Sequence, residues 1–162
     1  MDISRPIRRT GCPQEENKIM EDSMKTLYTT TVTVTGGREG NASSNDKQLS
    51  LQLALPKELG GSGKSGATNP EQLFAAGYAA CFESAIRHIA RGRKIKIDSS
   101  QVDGQVELRG KEDGAFSLAV SLDVRLPGLD RDTAELLVGE AHRICPYSNA
   151  TRGNIPVKVA LQ

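Results

Sequence analysis

The chain has 162 residues, 37% hydrophobic and 25% charged, enough for one globular domain with a core of its own. Its 21 Lys and Arg against 20 Asp and Glu leave a net charge of +1, which excludes the strong positive field that a nucleic-acid or anionic-membrane partner requires. The longest uncharged apolar run, Leu73 to Phe82, is far shorter than the roughly 20 residues of a membrane-spanning helix.

Residues 1 to 23 are polar and charge-mixed with neither helical nor strand period, and predict a disordered tail ahead of a single domain over 24–162. They show no basic start followed by an apolar stretch and a small-residue cleavage site, so the expected compartment is the cytosol. Cys12, in that tail, reads as an exposed bystander.

The run Thr26 to Val34 is rich in β-branched and aromatic residues and predicts a strand, closed by turn chemistry at Gly36 to Gly40. Leu49, Leu51, Leu53 and Leu55 alternate at period two until Pro56 and predict a second strand, paired with the first as a hairpin. Lys57 to Thr68 is glycine-rich and contains Gly63-Lys64-Ser65. A phosphate-binding loop would need its first glycine five positions before Gly63, where the chain has Glu58, so the segment reads as a flexible loop.

Asn69-Pro70 supplies an N-cap side chain and a proline at the first helical position, and predicts a helix running to Gly92. Its first half, Leu73 to Phe82, is apolar on every side and should be buried all round. Ile95 to Arg109 and Ala115 to Leu126 predict a second hairpin turning at Lys111 to Gly114, with Phe116, Leu118, Val120, Leu122, Val124 and Leu126 on one face. Asp130 to Cys145 is an amphipathic helix ended by Pro146, and Ile155 to Leu161 a last strand. The order β-β-α-β-β-α-β predicts an α+β domain of antiparallel sheet packed on two helices.

Three cysteines are too few and too far apart for a disulfide scaffold, and His88 and His142 have no ligand-like spacing, so neither metal nor cofactor is expected. Cys81 lies in the apolar half of the central helix, where burial raises a thiol pKa and makes it inert unless a cation reaches it. On composition alone it would be core. Cys145 ends its helix, where the dipole disfavours a thiolate, and it adjoins the Pro146 to Asn149 bend. If the two thiols work together, Cys81 is the better nucleophile and Cys145 the better, more mobile, resolving partner. Phe74, Tyr78 and Phe82 flank Cys81 at helical spacing and read as core, or as walls of an apolar pocket.

Three passages carry a family resemblance: TVTGGREG at Thr33 to Gly40, TNPEQLFAAGYAACF at Thr68 to Phe82, and HRICPYSNATRGN at His142 to Asn154. With them the stretch from Lys25 to Leu161 resembles the organic hydroperoxide resistance (Ohr) proteins of the Ohr/OsmC family. The resemblance implies a peroxidase that reduces alkyl and fatty-acid hydroperoxides, with Cys81 peroxidatic and Cys145 resolving. It implies that Arg38 activates the Cys81 thiolate and that Glu71 holds Arg38 by an ion pair. It further implies an intertwined homodimer with sites at the subunit interface, and dihydrolipoamide or lipoylated proteins as reductant.

Glu71 and Cys81 are ten positions apart, so on a continuous helix they lie roughly 15 Å apart along the axis and nearly a quarter turn out of line. Either Glu71 precedes the regular helix and the loop folds back, or the two act from different chains. An OsmC-type peroxidase with another physiological substrate, and a non-catalytic dimer binding an apolar ligand, are the alternative readings.

Overall fold

The computed structural model describes residues 25–162, so the expected tail and Cys12 lie outside the described residues. A first sheet comprises β1 (Val32–Thr35), β2 (Asn41–Ser44) and β3 (Ser50–Gln52), each antiparallel to the next. The central helix α1 (Pro70–Gly92) follows, then the long hairpin of β4 (Gln101–Gly110) and β5 (Phe116–Arg125). Helix α2 (Arg131–Ile144), the short helix α3 (Pro146–Thr151) and β6 (Val157–Leu161) complete the chain. The second sheet has the order β4-β5-β6.

The α+β class is borne out, while several details differ from the sequence expectation. The first strand is confined to Val32–Thr35 because its partner β2 ends at Ser44, and strand propensity without a neighbouring strand leaves Thr26 to Thr31 unpaired in regular structure. Strand β2, with the sequence Asn-Ala-Ser-Ser, has poor strand propensity and stands between the two expected hairpin partners, so a three-stranded meander replaces the hairpin. The leucine alternation nonetheless points inward, with Leu49, Leu51 and Leu53 more buried than Ser50 and Gln52. Strand β4 begins at Gln101 rather than Ile95, since β5 stops at Arg125 and offers nothing to pair with earlier residues. Strand β6 runs parallel to β5, correcting the all-antiparallel expectation.

Helix α1 has the expected bounds. Asn69 caps it through its side-chain oxygen, which accepts the Gln72 N–H at 2.9 Å, and Pro70 occupies the first position. Its Tyr78, Phe82 and Ile86 are fully buried against Val120, Leu122 and Val124 of β5 and Leu137 and Ala141 of α2. The all-round burial expected of its first half does not hold within one chain. Sheet and α2 cover one side only, and Gln72, Ala76, Ala80, Ser84 and His88, four residues apart in turn, form an exposed stripe.

Helix α2 starts at the Asp130 cap, whose carboxylate accepts the Thr133 N–H, and ends at Ile144, one residue before Cys145. Pro146 does not lead into a bend. With its fixed φ it is the first residue of α3, and the extended Cys145 (φ −60°, ψ 125°) forms the elbow between two helices.

Candidate active site

The two thiols expected to act together are adjacent. Cys81 on α1 and Cys145 at the α2–α3 elbow are both free, with their sulfurs 3.6 Å apart. Cys145 is 0% exposed, packed by the elbow into the core. Cys81 is partly open.

Burial pushes the Cys81 thiol above its ordinary value of 9.0, the backbone N–H of Tyr147 opposes this by donating to the sulfur, and Cys145 adds to the upward push. A thiol held above 9 is less than about 1% thiolate at pH 7, so one backbone donor leaves it nearly inert.

Arg38 and Glu71 are also brought together, as a fork. The guanidinium donates to both carboxylate oxygens, at 2.8 and 2.7 Å. The pair raises the Arg38 pKa and lowers that of Glu71, the mutual hydrogen bonds being the main cause of both shifts. The GGREG loop aims Arg38. Gly36 has φ +76°, a conformation side chains disfavour, and a Cβ on Gly40 would stand 1.6 Å from the Thr35 carbonyl oxygen, so only glycine closes the turn there. Glu39 anchors the loop by accepting the Leu55 N–H at 2.9 Å. With side chains 40% and 16% exposed, the Arg38–Glu71 pair is worth only about 0–1 kcal/mol of stability, which leaves positioning of the guanidinium as its evident use.

The two pairs do not meet within one chain. Glu71 is the second residue of α1, so the folded-back loop is excluded, and Cys81 lies ten helical residues, roughly 15 Å, further along the same axis. Arg38 is not among the groups that perturb the Cys81 thiol.

Sequence reasoning missed what surrounds the elbow. The Tyr147 hydroxyl rests on α1 at Gly77, where an added Cβ would lie 2.7 Å from it, and its ring packs against Phe74 and Tyr78. Gly77 precedes Cys81 by one turn, so a glycine inside an apolar helix was the one available signal of a close approach. The Ser148 hydroxyl lies 3.0 Å from both the Tyr78 hydroxyl and His142 Nδ1. His142 is therefore a satisfied histidine, whereas His88 is exposed. A surface cleft of about 490 Å³ beside Ser100, Gln101, Arg125 and Leu126 contains none of the four expected site residues.

Burial first, and then the Arg152 charge, push the His142 imidazole below its ordinary 6.5. The unfolded chain then takes up a proton at higher pH than the folded chain. The stability contributed here is complete above pH 6.5 and lost as pH falls through the lower folded value. Urea unfolding from pH 7 to 5 should show a loss from this site of at most about 1.4 kcal/mol per pH unit, absent in His142→Asn. Equal pH slopes in parent and variant would show that the imidazole is not its source.

A family model described as OsmC-like protein matches residues 61–160. The chain belongs to the OsmC-like family. An organic hydroperoxide resistance protein of Xanthomonas axonopodis pv. citri is 50% identical to this OsmC-like chain over 143 residues, 88% of this chain and 99% of the relative. A solved organic hydroperoxide resistance protein of Legionella pneumophila is 51% identical with a TM-score of 0.81, covering 85% of this chain and 99% of that one. OhrB of Bacillus subtilis, also solved, is 48% identical with a TM-score of 0.77, covering 85% and 100%. The α+β fold is that of these OsmC-like structures, and no described helix is long and apolar enough to cross a membrane.

Proposed function

We propose that this chain is a two-cysteine peroxidase that reduces organic hydroperoxides to alcohols. The observation that carries this reading is the 3.6 Å separation of a partly open thiol from a fully buried one. The Cys81 thiolate attacks the distal peroxide oxygen, the O–O bond breaks, and the leaving alkoxide takes up a proton to give an alcohol and Cys81 sulfenic acid. The Cys145 thiol then condenses with the sulfenic acid, forming the disulfide and releasing water. A bonded S–S distance is about 2.05 Å, so closure needs only about 1.5 Å of approach. A dithiol of the dihydrolipoamide class, free or on a lipoylated protein, returns two electrons by thiol–disulfide exchange and leaves as its cyclic disulfide. We assign the reaction to the cytoplasm, and the preference for organic hydroperoxides follows the names of the relatives.

The cation for Cys81 comes from a second copy of the chain. In an intertwined homodimer the exposed α1 stripe of one protomer is covered, and its Cys81 meets the Arg38–Glu71 fork of its partner. A guanidinium about 4 Å from a thiolate is worth about 4 kcal/mol at an effective dielectric of 20, or about three pK units. That suffices to bring a thiol from above 9 into the reactive range at neutral pH.

One equivalent of tert-butyl hydroperoxide, followed by peptide mass spectrometry, should yield a Cys81–Cys145 linked pair two hydrogens lighter than the reduced peptides. Cys145→Ser should stop at a Cys81 sulfenic acid that dimedone traps, and turnover should stall after about one equivalent of peroxide per chain. Two thiols that stay reduced would instead favour the non-catalytic ligand-binding reading.

A further inference from the structure

The core between α1, α2 and α3 is apolar except for one cluster. Ser148, 0% exposed, places its hydroxyl 3.0 Å from Tyr78 on α1 and 3.0 Å from His142 on α2. The Tyr78 hydroxyl also lies 3.2 Å from Thr151 Oγ1, and Thr151 donates to the Tyr147 carbonyl at 2.8 Å. The Arg152 guanidinium donates to the His142 carbonyl at 2.8 Å. No buried side-chain polar atom among the described residues lacks a partner. A buried hydroxyl costs more than an apolar residue of its size unless its bonds are made, and once they are made it selects one arrangement of the elements that it joins.

Those elements carry the thiol chemistry. Helix α3 has six residues, too few to hold its own geometry, and it begins at Pro146, directly after Cys145. Tyr147, whose N–H donates to Cys81, precedes Ser148 directly, and Tyr78 lies three residues before Cys81, in the same helical turn. We propose that Ser148 is a positioning residue for the cysteine pair: its hydroxyl pins the α2–α3 elbow to α1 and so holds both the Tyr147 N–H and the Cys145 sulfur against Cys81. It touches no reacting atom. Without it, an elbow shift of 1 Å is a large part of the approach that disulfide closure requires.

Among the titratable and charged groups around the cluster, the one in contact with Cys81 is Cys145, 3.6 Å away, which pushes its thiol up. His142 is neutral above its lowered pKa, Arg152 donates to the His142 carbonyl, and Glu83 on α1 is engaged by Arg87 and Ser100.

The test compares full-length parent, Ser148→Ala and Tyr78→Phe, each checked for folding by circular dichroism and melting. Cys81 carbamidomethylation is followed against pH by peptide mass spectrometry. Ser148→Ala should raise the midpoint by roughly one pH unit, the scale of one lost bond to a charged group, and Tyr78→Phe by less, because Ser148 keeps His142. After one equivalent of tert-butyl hydroperoxide, disulfide closure in Ser148→Ala should slow at least about tenfold. A lowered melting temperature with an unchanged midpoint and closure rate would make Ser148 a packing residue and overturn the proposal. So would a Ser148→Ala midpoint shift with none in Tyr78→Phe. Only the closure arm rests on the peroxidase reading. If the parent itself forms no disulfide, that reading fails while the alkylation arm still decides the role of Ser148.

Discussion

Replacing Cys81 by serine should abolish hydroperoxide reduction, with a loss of roughly 10³-fold or more in kcat/KM, as expected when a nucleophile acting as part of a unit is removed. Cys145 cannot take over. It is fully buried at the α2–α3 elbow, where a peroxide does not reach it, with the Cys81 sulfur 3.6 Å away. Serine preserves the size and the neighbours of Cys81, so the melting temperature should change little and the loss can be assigned to chemistry. The measurement is consumption of cumene hydroperoxide with dihydrolipoamide as reductant. Activity within tenfold of the parent would remove Cys81 from the mechanism.

Co-expressing Cys81→Ser with Arg38→Ala should restore activity that each variant lacks alone. A heterodimer of the two contains one site with both defects and one with none if Arg38 of one protomer serves Cys81 of its partner. Purified through two different tags, it should show about half the parent activity per dimer. If Arg38 serves Cys81 within its own chain, each site of the heterodimer retains one defect and no activity returns. The fold makes the cross-chain outcome the expected one: the Arg38–Glu71 fork sits at the second residue of α1 and Cys81 ten residues on, on one continuous helix. Arg38→Lys should not substitute for Arg38, since an ammonium keeps the charge but cannot be held by both oxygens of Glu71.

Local chemistry made much of the framework legible. Asn69-Pro70 announces the start of α1 because a cap and a proline satisfy helix N-termini wherever the helix packs. The period-two face of Val120, Leu122, Val124 and Leu126 is buried as read, though Phe116 at the same period is exposed, standing at the turn end of the β4–β5 hairpin. Strand β2 escaped because Asn41, Ser43 and Ser44 have no strand preference of their own and are ordered by the strands on either side. The parallel pairing of β6 was equally hidden, since alternation reports a buried face and not a direction.

The site divides in the same way. Taken alone, the sequence determined that Cys81 lies in an apolar helix, where a thiol is inert without help, and that Cys145 follows a helix and precedes Pro146, because helix period and proline geometry are local properties. The tertiary structure alone decided that sulfurs 64 positions apart stand 3.6 Å from each other, that Arg38 forks onto Glu71 across 33 positions, and that the Ser148 hydroxyl joins Tyr78 to His142. Such encounters depend on how α1, the elbow and the GGREG loop pack against one another, and no local period or propensity encodes the distance between residues that the chain brings together only when it folds.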